Sequence, residues 1–298
     1  MGMTNFPSGL PGGVSLYGQV VGPGTSGTSY FVDGNSGDDG HNGTSWEDAF
    51  KTLAVAFAAS HADIARGSDR WARRNTVYIA GDTFTETLII FPQKTDVVGV
   101  GSYGGFPQPG ILGNHAPVNT AIGCRFFNVA FEPVTAAAIM TLAGTTHHAE
   151  FHGCSFKANG TLIAATAIDT TACPHLVIEG CEFIGNYSGD VIDIGAGDVS
   201  STRIIGNTII GGLNDGIVET GTATIAGNRR GLIADNYISV AARPLVTNAT
   251  SVYDVINNRL ISAVALTTTA DVYIIDLTYA SGNLVTGNDV QVRVPAIA

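Results

Sequence analysis

Short apolar segments that end in a turn recur from the middle of the chain to its end. Each segment is rich in Ile, Val or Phe and is bounded by Gly, Asn or Asp, which is the pattern typical of a short β-strand followed by a tight turn. The recurring segments are 122–126, 150–156, 176–183, 203–209, 232–238, 255–260 and 284–290.

A Cys or an Asn marks the turn of each segment and gives the period of the repeat. The markers are Cys124, Cys154, Cys181, Asn207, Asn236, Asn258 and Asn288, at intervals of 30, 27, 26, 29, 22 and 30 residues. A period of this size and varying length predicts one coil of a parallel β-helix per repeat, because such coils accept insertions as loops. Propeller blades need about 40 residues or more, and leucine-rich repeats need a regular Leu framework. The predicted fold is therefore an all-β, single-stranded, right-handed parallel β-helix.

The same alignment predicts a core ladder made of the marker residues. Stacked above one another inside the solenoid, the Asn side chains could bond neighbouring backbone or the Asn of the next coil, and so satisfy polar groups at a buried turn. We expect the thiols, with Cys173, to be reduced and buried. The alternative is a disulfide between coils, because a strand spacing of about 4.8 Å lies within the Cα separations that disulfides accept.

Residues 28–75 are predicted to form a capping segment, which precedes a β-helix predicted over residues 76–298. Apolar residues at positions 46, 49, 50, 53, 54 and 57, behind Ser45, form the stripe of an amphipathic helix. A helix placed before the first coil would cover the open end of the solenoid, where strand edges and core are otherwise exposed.

Residues 1–27 are predicted to form an extended arm. The segment is rich in Gly and Pro, and its apolar residues are too few to build a core. Isolated apolar anchors of this kind order against a partner surface, and a frayed terminus is the alternative. The candidate anchors are Phe6, Leu10, Val14, Leu16 and Tyr17.

Charge and hydropathy argue against several partners. The formal net charge is −11, and the basic residues are scattered apart from Arg70, Arg73 and Arg74, so we expect no nucleic-acid binding. The sequence has no run of 18 apolar residues and no basic segment followed by an apolar one at its start, so we expect no membrane span and synthesis in the cytoplasm without an export signal.

Segments 30–40, 42–46 and 49–53 resemble the opening of pectin-lyase-like β-helix proteins, and segments 76–81 and 86–88 are similar to their first coil. With the repeats, the resemblance covers roughly residues 28 to 290. It implies the fold, but this fold hosts lyases, hydrolases, adhesins and inert virion parts.

Segments 4–9 and 14–18 resemble the start of β-helix proteins encoded among phage head genes, some of which trimerise on the capsid surface. The resemblance implies a bacteriophage virion structural protein: a homotrimeric decoration or cement protein on the outer capsid surface, whose arm binds the major capsid protein. Tailspikes share the fold but usually carry a larger N-terminal domain. A tailspike-type receptor-binding or polysaccharide-degrading protein is therefore the alternative.

A glycan hydrolase would need two carboxylates about 5 to 9.5 Å apart. Asp193 and Asp215 fall in neighbouring coils and could face each other across a groove. The four candidate acids are Asp190, Asp193, Asp215 and Glu219. The sequence signatures of polygalacturonases are missing, and no Lys lies in an acidic cluster near an Arg of the repeats, as a pectate lyase would need. We expect no enzyme activity, with a glycan hydrolase or lyase as the minority alternative.

Two groups of residues could hold a metal ion. Residues alternating along a strand point to one side, which would align His148, Glu150 and His152 beside His147, but no further ligand from another coil can be assigned. Carbonyl and carboxylate oxygens in the loop of Asp33, Asn35, Asp38 and Asp39 could bind calcium, although this loop lacks the bidentate Glu of an EF-hand. We expect a polar surface and a turn-rich loop instead, with no metal and no cofactor.

Overall fold

The computed structural model describes residues 27–66, 73–102, 108–144, 146–158, 163–195, 200–219, 231–246 and 253–262, and the backbone of 14–16, 19–21, 279–281 and 284–286. Over this part of the chain the protein is a parallel β-solenoid of the right-handed type with one short helix. The predicted fold class is confirmed at this level.

Three parallel sheets form the walls of the solenoid within the described residues. The ten-stranded sheet contains, in chain order, Ser29–Val32, Asn75–Ile79, Thr95–Gly99, Arg125–Phe127, Glu150–His152, Val177–Glu179, Arg203–Ile205, Gly231–Ala234, Tyr253–Ile256 and Tyr279–Ser281. The nine-stranded sheet contains Thr83–Thr85, Gly110–Leu112, Ala130–Glu132, Ser155–Ala158, Glu182–Gly185, Thr208–Gly211, Tyr237–Val240, Arg259–Ser262 and Leu284–Thr286. The five-stranded sheet contains Met140–Leu142, Ile168–Thr170, Ile192–Ile194, Ile217–Glu219 and Leu245–Val246.

Two small pairs of strands complete the described strands. Ala121–Ile122 pairs in parallel with Thr146–His147. In the predicted arm, Val14–Leu16 pairs antiparallel with Gln19–Val21. The remaining predicted anchors, Phe6, Leu10 and Tyr17, lie outside the described residues.

Aromatic rings stacked in register fill the centre of the solenoid. Phe126 and Phe151 occupy paired positions in the ten-stranded sheet, with parallel rings whose centroids are 5.4 Å apart. Phe156 and Phe183 do the same in the nine-stranded sheet, at 4.9 Å. All four side chains are fully buried, so each coil covers the apolar surface of the one before it.

Two corners of the coil require a residue with a left-handed backbone. Between the ten- and nine-stranded sheets φ lies between 54° and 65° at Asn128, Gly153, Gly180, Gly206, Asp235 and Asn257. Before the ten-stranded sheet φ is also positive, at Lys94, Gly123, His148, His175 and Ser201. Because Gly, Asn and Asp tolerate this conformation best, the first corner explains why turn residues recur once per coil.

The ladder residues follow the first corner. In each coil, the backbone N–H of the residue after the ladder position donates to the carbonyl of the ladder residue in the preceding coil. These hydrogen bonds align six residues in one column: Val129, Cys154, Cys181, Asn207, Asn236 and Asn258. All six side chains are buried. Cys124 is not in this column, and its predicted place is wrong: Arg125 pairs with Glu150, which aligns Cys124 with Ala149. A Gly-Cys pair occurs at both corners of the coil, so the sequence repeat does not distinguish one corner from the other.

The last predicted ladder residue follows the strand Leu284–Thr286, which pairs with Arg259–Ser262. Asn288 itself lies outside the described residues.

Asn side chains tie consecutive coils together. The Oδ1 atom of Asn236 accepts hydrogen bonds from the backbone N–H and the side-chain Nδ2 of Asn207, both at 2.9 Å. The Nδ2 of Asn236 donates in turn to Oδ1 of Asn258 and to the carbonyl of Ile204, again at 2.9 Å. The backbone N–H of Cys181 donates to Oδ1 of Asn207 at 2.8 Å. Each Asn side chain therefore supplies a hydrogen-bond acceptor for the buried backbone N–H at the corner of the neighbouring coil.

The four cysteines are free and buried. The Sγ of Cys181 donates to the carbonyl of Phe151 at 3.3 Å, and that of Cys154 to the carbonyl of Phe126 at 3.5 Å. Burial raises the pKa of the Cys173 thiol to about 12. The Cys173 thiol is therefore a protonated packing group at neutral pH.

The helix spans Leu53–Arg66, so the predicted start near Ser45 is wrong. Trp46 is 42% exposed, and Phe50 forms an isolated parallel bridge with Val32 instead of a helical turn. The helix begins later because its first amides find acceptors there: the N–H groups of Leu53 and Ala54 donate to the carboxylate of Glu86, each at 2.9 Å.

The helix lies against the first coils. The ring of Phe57 contacts that of Phe126, with centroids 6.3 Å apart, and Ser60 Oγ is 2.8 Å from Thr95 Oγ1. Strand Ser29–Val32, inside the segment predicted as a cap, already pairs with Asn75–Ile79. The parallel sheet therefore starts before residue 76, and closure of the solenoid end by the helix stays a prediction.

We expect Asn236→Ala to lower the free energy of unfolding by about 2 to 4 kcal/mol, because it removes the acceptor of two buried donors and leaves a buried N–H of Asn207 without its partner. Urea denaturation followed by circular dichroism measures the loss. Asn35→Ala, at an exposed position, is the matched control and should change stability by about 0.5 kcal/mol or less. Equal effects of the two variants would contradict a stabilising ladder.

Candidate functional site

Asp215 lies in a structural ion pair. The Arg243 guanidinium contacts both carboxylate oxygens, with Nε 3.1 Å from each, and the backbone N–H of Arg243 donates to Oδ1 at 2.8 Å. The side chain of Asp215 is 3% exposed, against 35% for Arg243. A carboxylate held this way has its acceptor positions occupied by the protein itself.

The structure does not place Asp193 opposite Asp215, and that prediction is wrong. Asp193 pairs in register with Val218 in the next coil. The residue that aligns with Asp215 is Asp190, because Val191 N–H donates to the Asp215 carbonyl at 3.0 Å. Asp190 is held at Oδ1 by the Asn214 side chain at 2.8 Å. Burial and the nearby Asp215 carboxylate raise the pKa of Asp190.

Glu219 faces the interior rather than a groove. It pairs with Ile194, a fully buried position, and is itself 5% exposed. Burial raises the pKa of Tyr253, and the negative charge of the nearby Glu219 raises it further. The four predicted acids therefore divide into an inward residue, a buried ion pair and two partly exposed carboxylates.

Sequence reasoning missed Asp169, which stands in register with Asp193 one coil earlier. Both are partly exposed on the outer face of the five-stranded sheet, and burial raises the pKa of Asp169. Adjacent strands are about 4.8 Å apart, which brings the two carboxylates close together. The repeated Ile-Asp dipeptide at 168–169 and 192–193 was the signal that could have revealed this pair.

A charged network covers part of the outer face of the ten-stranded sheet. Asp96 accepts two hydrogen bonds from Arg125, both 2.7 Å, and one from Arg74 at 2.9 Å. One coil further on, Nε2 of His152 is 2.9 Å from Oε2 of Glu150. Asp96, Arg125 and Glu150 occupy one column of successive coils, so opposite charges alternate along it and support the packing of neighbouring strands.

The predicted metal groups are engaged in local structure. His148 occupies a left-handed corner instead of the strand face of Glu150 and His152, and its ring stacks on His175 at 4.3 Å. In the Gly-rich loop, Asp33 accepts N–H groups of Asn35 and Ser36, and Asp38 accepts that of Gly40. The carboxylate of Asp39 accepts the N–H groups of Lys51 and Thr52. Among the described residues, no group of three or more His, Cys, Asp or Glu side chains is arranged to hold a metal ion.

In the same described part of the chain, no helix combines the length and apolar character needed to cross a membrane.

Comparisons of the chain with protein-family models, with curated proteins and with solved structures found no match. The class of protein is therefore defined by its geometry: the chain is a parallel β-solenoid protein with an Asn ladder at one corner and, at another, a buried Asp paired with a partly exposed Arg.

We expect Arg243→Ala to destabilise the fold by about 2 to 4 kcal/mol, because the buried Asp215 carboxylate loses its counter-charge while keeping one backbone hydrogen bond. Chemical denaturation at neutral pH measures the effect. Arg203→Ala, which removes an exposed Arg from the ten-stranded sheet, is the control and should be nearly neutral. Adding Asp215→Asn should recover part of the loss. A neutral Arg243→Ala would show that the ion pair has no structural role.

Proposed function

We propose that the chain is a structural protein of a bacteriophage particle: a capsid decoration or cement protein that acts by contact with copies of itself and with the major capsid protein. The proposal is supported by the positions of the four candidate acids. Asp215 is bound by Arg243 and Glu219 is buried, so two of the four acids are withdrawn from a solvent-exposed groove. A body that serves as a scaffold needs this internal cohesion and no reactive groove.

Exposed apolar side chains support a contact function. Val118 is 75% exposed and Ile89 is 56% exposed. The N–H of Val118 donates to the carbonyl of Ile89 at 3.0 Å, so the two residues lie side by side on one surface. Neighbouring apolar residues left in water are typical of protein contact surfaces.

The arm fits the proposed capsid attachment. Its strands Val14–Leu16 and Gln19–Val21 form a two-stranded hairpin, and an isolated hairpin is marginally stable in water. A partner surface would supply the missing burial, and the major capsid protein is the partner that the resemblance implies. The homotrimer and the position on the outer capsid surface belong to the same proposal.

One observation favours the alternative, a tailspike-type polysaccharide-degrading or receptor-binding protein. The stacked Asp169 and Asp193 carboxylates face outward in adjacent strands. Retaining glycosidases use two carboxylates about 5 to 5.5 Å apart, one of which has a raised pKa. The location of the protein on the particle separates the two functions.

Antibody labelling of particles of the encoding phage tests the proposal. We expect label over the whole head, and we expect a chain lacking residues 1–27 to fold and keep its β-rich circular dichroism but not to bind heads that lack the protein. The control is the full-length chain added to the same heads. Label confined to the tail tip would establish the alternative, and unfolding of the shortened chain would show that the arm belongs to the core.

A further inference from the structure

The outer face of the nine-stranded sheet carries side chains that face water in four consecutive coils. They form two parallel rows, which we call the association face: Glu182, Thr208, Tyr237 and Arg259 in the first row, and Ile184, Ile210, Ser239 and Ile261 in the second. Ile184 is 37% exposed and Ile210 is 45% exposed. Two neighbouring isoleucines at this exposure are a surface that would gain free energy from burial.

Opposite charges stand at the two ends of the first row. Glu182 and Arg259 are both exposed, and three strand spacings, about 14 Å, separate their coils. The guanidinium carbon of Arg259 lies 5.4 Å from the centroid of the Tyr237 ring, which holds the positive charge at that end. A row with an acid at one end, a base at the other and uncharged residues between them is complementary to a reversed copy of itself.

We propose that the association face binds the same face of a second copy of this chain, with the two solenoid axes antiparallel. A two-fold axis parallel to the strands, between the coils of Ile210 and Ser239, sets each Glu182 opposite Arg259 of the second copy. The same axis sets Ile184 opposite Ile261 and Ile210 opposite Ser239. Both exposed isoleucines are then covered, and Glu182 of each copy faces Arg259 of the other.

A parallel arrangement of two copies does not fit these side chains. Rotation about an axis parallel to the solenoid keeps the order of the coils and brings the first row of one copy against the second row of the other. Glu182 would then lie on Ile184, and Arg259 on Ile261, so both charges would lose water without gaining a counter-charge. The charge pattern therefore selects the antiparallel pair.

The contact is small. Four coils span about 19 Å, which gives less area than the roughly 800 Å² per partner of a stable interface. Association is therefore weak in solution and depends on concentration. A closed ring of three copies contains no two-fold axis, so the contact would join separate trimers.

Sedimentation equilibrium of the full chain, from micromolar to near-millimolar concentration, tests the proposal. We expect the average mass to rise toward twice that of the smallest species. Ile210→Glu, Glu182→Arg and Arg259→Glu should each weaken association by about tenfold or more, because they bury a charge without a counter-charge or place a like charge against a like charge. Circular dichroism verifies that each variant is folded.

The decisive variant is the double charge reversal Glu182→Arg with Arg259→Glu. Across a two-fold axis each reversed charge meets a reversed partner, so this variant should regain the wild-type mass profile although each single change loses it. Arg203→Glu, on the ten-stranded sheet, should associate like the wild type. A wild-type chain of constant mass at every concentration would overturn the proposal, and so would a double variant that associates no better than the single ones.

Discussion

The C-terminal half of the fold depends on one interaction, the hydrogen bonding of an Asn side chain to the corner of the preceding coil. The corner needs a left-handed residue, which turns the chain sharply and leaves the next backbone N–H buried without a strand partner. In the C-terminal coils Asn207, Asn236 and Asn258 each accept that N–H from the coil before. A shift of register by one residue would separate these partners and expose the core row, so the ladder and the apolar core select the same alignment.

That alignment decides what the other side chains can do. It stacks Phe126 on Phe151 inside the solenoid, and it stacks Asp169 beside Asp193 outside it. It also brings Asp215 to Arg243, 28 residues later in the sequence. The residues that fall into the same column of successive coils therefore decide which carboxylates lie close together, which ion pairs form and which side chains share a surface.

The strand and turn repeat was predictable because each coil carries its own apolar run and its own corner. The alignment of the coils was less predictable. Cys124 follows one corner and Cys154 follows the other, and a Gly-Cys pair looks the same at both. Glu219 could not be recognised as inward-facing, because the pairing of its strand with Ile192–Ile194 sets its direction. The start of the helix depends on Glu86, which is distant in sequence and supplies the acceptors for the first two helical amides.

Residue-resolved amide hydrogen exchange tests the central claim most directly. The N–H groups of Cys181, Asn207 and Asn236 lie just after corners and outside the strands. If the Asn of the next coil accepts each of them, these amides should exchange only on global unfolding, as slowly as the central strand amides. Exchange at the rate of an open turn would contradict the ladder and the coil register that depends on it.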